Sequence, residues 1–413
     1  MLINPVKSWK GKLIGMKILK RVTAVLLTAV VAVSFTACGG RSEHAKKLNI
    51  DTAVSINIWY QDDAYTSYLD YIAQQFHKAN EFITVNPVKV EENNLLDAVY
   101  NGSIAQNNVA DVYLMEASDM QRAYLMGLTA ENDAYPQYSS QKHFPVTAVN
   151  AACYPVTFHT AVMVYNKKYA TAPENFEQIE AFLNSYQVTD ENKDVNMIVG
   201  WDTQDLWTNY AFGGSYVDNG GAQGEDAESD VQTEALKAAM TEYAALQNTF
   251  GIVDKTQEEY KQMFMNNQLI YTILDSTQLA DLNASGVDYG ICAVPGAKTG
   301  FGTQSLSDTI LAMVNPYSEN TDTAKAVAQA ISYDYADLLE KDTGYISART
   351  DVADKNKKVL YQPLYEVYAK SDSYAKYIGA DEFYVRYSIL LHNIWKGEDL
   401  NESVDAFIKA VSR

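Results

Sequence analysis

Aromatic rings and carboxylates occur together in this sequence directly after segments that have the pattern of β-strands. The first such group is Trp59, Asp62 and Asp63, and Glu116 and Asp275 also follow apolar strand-like runs. Aromatic faces stack on apolar surfaces, and carboxylates accept hydrogen bonds from hydroxyl groups. This combination predicts a binding site for a ligand with apolar faces and a polar rim.

Other kinds of chemistry find less support in the residue pattern. The sequence contains no CxxC or HExxH motif, and its histidines are scattered, so we predict no catalytic metal and no cofactor. Cys153 and Cys292 could form a disulfide outside the cell, but two separately buried thiols are the favoured interpretation.

The N-terminal segment has the pattern of an export signal. Lys17, Lys20 and Arg21 precede an apolar run at 22–35 that is shorter than a transmembrane helix requires. The string Phe-Thr-Ala-Cys that ends at Cys38 resembles the lipobox of bacterial lipoproteins. We therefore predict a signal peptide at 1–37, lipidation of Cys38, a polar tether at 38–51 and a location on the outer face of the bacterial cell membrane. A plain secretory signal is the alternative, and Met16 is a second candidate start.

Charge and length limit the partners and the architecture. Removal of residues 1–37 takes away six basic and no acidic residues, which lowers the net charge from −20 to −26. Such a charge repels phosphate backbones, so we predict no nucleic-acid partner. The remaining chain is longer than one hydrophobic core usually serves, which predicts two lobes in a monomer.

Strand and helix patterns alternate along most of the chain, which predicts an α/β fold with parallel strands. The segment at 54–59 alternates apolar and polar residues, and 233–250 is strongly amphipathic. The acidic, glycine-containing segment at 218–230 reads as a solvated surface loop, with a calcium site as the weaker alternative.

Several short motifs, taken in order, resemble the extracellular solute-binding proteins of ABC importers, in the group that includes maltose-binding protein. The resemblance covers most of the chain after the signal segment, and its most specific part is Tyr165-Asn166-Lys167. The other motifs are Ile58-Trp59, Gly102 with Ala110-Asp111-Val112, Tyr154-Pro155, Val162-Met163-Val164, Phe176-Glu177-Gln178-Ile179, Phe264-Met265 with Asn267, Val294-Pro295-Gly296 and 324–332.

The resemblance implies a two-lobed, hinge-closing α/β fold of the type II periplasmic-binding-protein kind. The chain would cross between the lobes three times, near 157–160, 309–312 and 345–349. One lobe would comprise residues 52–157 and 310–345, and the other 158–309 and 346–413. Ligands would bind in the cleft between them, at the ends of strands and the starts of helices.

The resemblance also implies a function and a set of contacts. The protein would capture an extracellular solute, a mono- or oligosaccharide, by hinge closure and deliver it to an ABC permease without breaking a bond. No catalytic residue is predicted. The predicted ligand contacts are Trp59, Asp62, Asp63, Glu116, Trp201, Asp205, Trp207, Asp275, Tyr345 and Tyr384.

Three alternatives remain open from the sequence, and the first is an adhesion or sensor-accessory lipoprotein that would use the same cleft and differ only in its partner. A thiaminase-like enzyme would use a cysteine nucleophile in the same fold, but the nucleophile's position aligns with His159 and not with Cys153, although Asp275 and Asp308 could serve as acidic partners. A binding protein for a peptide or a polyamine is the third alternative.

Overall fold

The computed structural model of the protein describes residues 47–91, 94–107, 109–136, 143–145, 148, 151–219, 230–352, 358–375 and 379–411. The predicted signal peptide, Cys38 and most of the tether lie outside these residues, as does the centre of the acidic segment at 218–230. Among the described helices, none is both long enough and apolar enough to cross a membrane.

The longer strands agree with the segments that the apolar patterns predict. The described strands are β1 (Val54–Tyr60), β2 (Ile83–Lys89), β3 (Val112–Glu116), β4 (Tyr154–Asn166), β5 (Met197–Val199), β6 (Val217–Asp218), β7 (Asp230–Val231), β8 (Leu269–Asp275), β9 (Tyr289–Cys292), β10 (Leu306–Val314) and β11 (Asp372–Ser373). The two-residue strands β6, β7 and β11 were not predicted.

The helices lie between the strands and dominate the C-terminal part, as predicted. Short 3-10 turns occupy Asp63–Tyr65, Ala117–Asp119 and Ser276–Gln278, and a π-helical segment occupies Ala330–Asp334. The described α-helices are α1 (Thr66–Ala79), α2 (Leu95–Ala105), α3 (Met120–Leu125), α4 (Phe176–Ser185), α5 (Leu206–Gly214), α6 (Thr233–Phe250), α7 (Gln257–Met265), α8 (Leu279–Ser285), α9 (Thr321–Gln329), α10 (Ala336–Thr343), α11 (Lys358–Lys370), α12 (Ala380–Trp395) and α13 (Leu400–Val411).

Capping residues explain where several helices begin and end. Asn94, Asn175 and Asp205 each accept a hydrogen bond from a backbone amide in the first turn of the helix that follows. These bonds satisfy amides that the helix itself leaves without a partner. Gly251 ends α6 with a left-handed backbone at φ 58°, a conformation that glycine adopts without strain.

The main sheet is mixed, with the described strands in the order β2-β1-β3-β10-β4-β8-β5, β11 beside β10 and β9 beside β4. The predicted parallel pairing is right for β1 with β2 and β3 and for β5 with β8. It is wrong at the centre, where β10 is antiparallel to β3 and β4, and β4 is antiparallel to β8. The reason is that β4 and β10 cross between the two halves of the sheet in opposite directions.

The three predicted crossings lie side by side. The first part of β4 pairs with β10, whereas its part from residue 161 onward pairs with β8 and β9. Thr157 also bridges Ser347, and the Ala348 amide donates a 2.9 Å hydrogen bond to the carbonyl of Val156. The two-lobed fold with three crossings is thus confirmed, while the division of the chain into lobes at 157/158, 309/310 and 345/346 stays a prediction.

Apolar side chains in the described residues form two large clusters and a smaller one. The first large cluster includes Ile58 and Leu69 and spans β1, α1 and the helices around the crossings. The second includes Trp201 and Trp395 and joins α5, α6, α12 and α13. These clusters hold rigidly the strand ends and helix starts that open into the cleft.

Candidate functional site

Two adjoining cavities open at the carboxyl ends of β1, β3 and β8 and at the start of α5. We call them the first chamber, of about 580 Å³, and the second chamber, of about 550 Å³. Glu116, Asp119, Arg122 and His159 line both chambers, so the two form one continuous cleft. Each volume falls in the range of small-molecule sites.

The first chamber is built around Asp62 and Tyr345. One carboxylate oxygen of Asp62 accepts a 2.9 Å hydrogen bond from the Ala64 amide and so caps the short turn after β1. The other oxygen accepts a 2.7 Å hydrogen bond from the Tyr345 hydroxyl. Burial and the charge of Asp62 raise the pKa of Tyr345 to about 12. The Tyr345 ring lies 5.7 Å from that of Tyr65 at 57°, so the turn after β1 and the third crossing are tied together.

His159 and Asp275 form an ion pair where the two chambers meet. Asp275 is the last residue of β8, and one of its oxygens accepts a 2.9 Å hydrogen bond from the Thr277 amide. Its other oxygen lies 2.9 Å from Nδ1 of His159. Burial lowers the pKa of His159, but the hydrogen-bonded Asp275 and the charges of Asp308 and Glu116 outweigh burial and raise it to about 9. Burial in turn raises the pKa of Asp275, but the His159 charge outweighs it and holds that pKa below its usual value. Both residues are therefore charged at neutral pH.

Stacked aromatic rings form one wall of the second chamber. Trp207 lies in the first turn of α5, with its ring 5.8 Å from that of Tyr374 at 28° and 4.4 Å from that of His159. The Tyr374 ring stacks in turn on Tyr384 at 3.8 Å, and its hydroxyl donates a 3.0 Å hydrogen bond to Asp381. Trp207 is half-buried in this row and lines the chamber. The arrangement supplies a rigid apolar plate of the kind that stacks on a sugar ring.

Buried and exposed carboxylates line the cleft. Asp308 lies on β10 opposite His159 in the antiparallel register and is only 3 % exposed. Burial raises the pKa of Asp308 to about 6, a rise that the Glu116 charge supports and the His159 charge opposes. The charged side chains lining the chambers are the cations Arg122 and His159 and the carboxylates Asp62, Glu116, Asp119, Asp275, Asp308 and Asp381. No cluster of three potential metal ligands occurs in the described parts of the chain.

The structure brings together half of the predicted contacts. The predicted residues that line the chambers are Asp62, Glu116, Trp207, Asp275 and Tyr345.

The other predicted contacts do not line either chamber. Trp59 is 6 % exposed and packs in the smaller apolar cluster, and Asp63 is exposed and forms a 2.9 Å ion pair with Lys89. Asp205 caps α5 by accepting a 2.9 Å hydrogen bond from the Thr208 amide. These side chains support the fold around the cleft.

The expectation that Trp201 and Tyr384 face the cleft is wrong, because both are core residues. Trp201 is fully buried, and its indole donates a 2.8 Å hydrogen bond to Asn209. Tyr384 is 2 % exposed, and its hydroxyl accepts a 2.8 Å hydrogen bond from the Ala375 amide. Trp201 follows β5, and a residue after a strand can turn into the core as readily as toward a cleft. Tyr384 lies on the buried face of α12, which packs in the second large apolar cluster.

Several lining residues were missing from the predicted set, and three of them, His159, Asp308 and Tyr374, form the junction and the wall of the second chamber. The sequence held a signal for the first two, because each is an ionisable residue inside an otherwise buried strand and buried charges need partners. Tyr374 lies just after the short strand β11, and no local pattern distinguishes it from the other tyrosines.

The cysteines do not contribute to the cleft. Cys153 is 1 % exposed, lies outside the chamber walls and has its sulfur 3.7 Å from the carbonyl of Ala148. Burial raises the pKa of the Cys292 thiol to about 12. Both residues are thiols in the structure, Cys153 buried and Cys292 half-buried, and the raised pKa of Cys292 is the opposite of the lowered pKa that a nucleophilic cysteine has.

Three solved structures with the same fold are named for, or hold, maltose or a maltodextrin. A Staphylococcus aureus extracellular solute-binding protein in complex with maltose superposes with a TM-score of 0.70 at 18 % identity, over 88 % of this chain and 98 % of that one. The maltose-maltodextrin binding protein of Alicyclobacillus acidocaldarius gives 0.66 at 17 % identity, over 87 % and 100 %. A cyclo/maltodextrin-binding protein complexed with maltotetraose gives 0.71 at 15 % identity, over 88 % and 98 %. At these identities the likeness establishes the fold.

Sequence comparison establishes the family. No curated protein sequence matches the chain. The profile of the family described as bacterial extracellular solute-binding protein, however, matches residues 71–365, which is more than half of the chain. The protein therefore belongs to the bacterial extracellular solute-binding proteins, a family of binding proteins and not of enzymes.

Proposed function

We propose that this protein captures a carbohydrate in the cleft, outside the cell, and delivers it to the permease of an ABC importer. The observation that carries the proposal is the second chamber, where the ring row of Trp207 and Tyr374 stands beside Asp308 and Asp381. Ring faces suit the apolar faces of a sugar, and carboxylates suit its hydroxyl groups.

The solved relatives support the same ligand class. Two of them are complexes with maltose and maltotetraose, and the third is a maltose-maltodextrin binding protein. The β4 and β10 crossings, with the third segment beside them, suit a hinge that closes over the ligand. Closure would be driven by contacts that exist only when the lobes meet.

Membrane anchoring through Cys38 is the second part of the proposal. Its support is the charged and apolar pattern of residues 17–35 and the lipobox-like string that ends at Cys38. In cells, the Cys38→Ala variant should leave the membrane fraction or keep its signal peptide, whereas wild type should label with a radioactive fatty acid. Membrane attachment of the variant with a cleaved signal would contradict lipidation at this residue.

A ligand screen tests the binding function. The domain from residue 42 is titrated in a thermal-shift assay with maltose, maltotriose, maltotetraose and other neutral sugars, and affinities are then measured by calorimetry. A ligand at 100 times its Kd should stabilise the native state by about 2.7 kcal/mol. Stabilisation by a carbohydrate supports the proposal, and the absence of a thermal shift with every carbohydrate tested contradicts it.

A cationic solute is the second candidate function, since carboxylates outnumber cations in the cleft and Arg122 is already paired with Asp97 at 2.8 Å. The same screen therefore includes spermidine, a short basic peptide and thiamine. Stabilisation by one of these alone, with strong salt dependence, would replace the carbohydrate proposal.

A further inference from the structure

We infer that His159 is a ligand contact, which donates a hydrogen bond from Nε2 to an oxygen of the ligand at the junction of the two chambers. The inference rests on the proposed function, because the acceptor that it names is an oxygen atom of a carbohydrate. It concerns a residue that the predicted contacts did not include.

The position of His159 carries the argument. The residue lies on β4, the first crossing strand, and lines both chambers, so a ligand that extends from one chamber to the other must pass it. Its side chain is 22 % exposed, in contrast to the buried strand residues on either side. A crossing strand also moves little relative to either lobe during closure, which makes it a fixed point in the cleft.

The ring is held in place from two directions. Asp275 occupies Nδ1 at 2.9 Å, and the Trp207 ring lies 4.4 Å away. Nε2 is the remaining donor, and it has no hydrogen-bond partner in the part of the chain that the structure describes. A ring fixed in this way loses little entropy when it binds a ligand, so its hydrogen bond contributes fully to affinity.

The charge of His159 determines the kind of atom it can bind. With a pKa of about 9 the imidazole carries both protons at neutral pH, and a doubly protonated ring only donates. The charged or titratable groups that face it are Asp275 at the end of β8, Asp308 on β10, Glu116 at the end of β3, Asp119 in the turn after β3, Arg122 on α3 and Asp381 on α12.

Most of these neighbours are carboxylates, which accept hydrogen bonds and cannot bind the ring or bridging oxygens of a sugar. His159 therefore supplies a donor that complements them. Charge-assisted hydrogen bonds are also stronger than neutral ones.

Binding by three variants tests the inference, with maltotetraose as the probe or, if wild type binds another member of the carbohydrate panel, that sugar. His159→Leu should weaken binding about tenfold or more, and His159→Gln, whose amide still donates, about two- to fivefold. His77→Gln is the matched control, because His77 is exposed and outside both chambers, and its affinity should equal that of wild type.

Imidazole ¹⁵N spectra distinguish a His159 that contacts the ligand from one that only supports the fold. In ligand-free wild type the His159 resonances should show two protonated nitrogens at pH 7.5, and addition of sugar should shift Nε2 more than Nδ1. In Asp275→Asn, which keeps the cap, the ring should lose its proton at much lower pH than in wild type, so affinity should already be reduced at pH 7.5 and should recover as the pH is lowered. Wild-type affinity should instead hold at pH 7.5 and fall only as the pH approaches 9.

The outcomes separate this inference from the proposed function. Wild-type affinity in His159→Leu, or an Nε2 shift unmoved by sugar, overturns the inference and leaves carbohydrate binding intact. Absence of carbohydrate binding by wild type overturns the proposed function, and the inference falls with it.

Discussion

The two chambers of the cleft differ in how their acidic residues are placed. In the first chamber Asp62 is exposed, and both of its oxygens already hold protein donors, the Ala64 amide and the Tyr345 hydroxyl. In the second chamber Asp308 is 3 % exposed and lies near the Trp207 and Tyr374 rings. Electrostatic interactions are stronger where water is excluded. We therefore expect contacts in the second chamber to contribute more to the binding free energy than contacts in the first.

Among variants of residues that line only one chamber, removal of the Trp207 ring should have the largest effect. Trp207→Ala should weaken carbohydrate binding by about 1–2 kcal/mol, which is on the order of tenfold in Kd. Trp207→Phe should retain most of the affinity because it keeps a ring face. Calorimetry measures both, with Tyr317→Ala as a control at an exposed ring outside the cleft. If Tyr345→Ala in the first chamber had the larger effect, the contrast between the chambers would be reversed.

A pair of matched carboxylate variants gives the next effect. Asp308→Asn should weaken sugar binding about fivefold, whereas Asp62→Asn should weaken it about twofold or less, because only the first replaces a buried acceptor oxygen with an amide group that donates. Asp308→Asn should also raise the melting temperature of the ligand-free protein at pH 7.5, since burial disfavours its charged form. Equal losses of affinity in the two variants would remove the distinction.

The pH dependence of stability should follow the buried ionisable groups of the second chamber and its surroundings. Burial raises the pKa of Asp308 to about 6 and that of Asp372 to about 7, and the charge of Asp275 helps to raise that of His159 to about 9 against the effect of burial. All three exceed their unfolded values, so the native state binds more protons and loses stability as pH rises through this range.

Calorimetric scanning should therefore show a melting temperature a few degrees higher at about pH 5.5 than at about pH 8.5. Asp275 does not change this sign, because its lowered pKa acts below the range. Asp372→Asn should reduce this dependence of the melting temperature on pH, since it removes a carboxyl group with a raised pKa. Asp372 accepts a 2.9 Å hydrogen bond from Tyr210 and lines neither chamber. A flat profile in wild type would contradict the expected burial of these groups.

The smallest expected effect belongs to the Tyr345 hydroxyl. Tyr345→Phe removes its 2.7 Å hydrogen bond to Asp62 and leaves that oxygen open to a ligand hydroxyl. The two consequences oppose each other, so Kd should change less than about threefold. A tenfold loss, measured by calorimetry, would show that the hydroxyl contacts the ligand and that the first chamber contributes as much as the second.

Local features of this protein were readable from the sequence because they depend on neighbouring residues. The alternation at 54–59 and the amphipathic run at 233–250 predict β1 and α6, since periodicity reports which side of an element is buried. The motif order around Tyr165-Asn166-Lys167 indicated the family and, with it, the two-lobed fold.

The contacts of the cleft were decided by the tertiary structure. Trp201 and Trp207 are six positions apart and have the same chemistry, yet one is in the core and the other in the second chamber. His159 faces Asp308 only because β4 and β10 pair in an antiparallel register, and Asp275 joins them through the end of β8. Such register depends on packing between residues far apart in the chain, and local patterns carry no information about it.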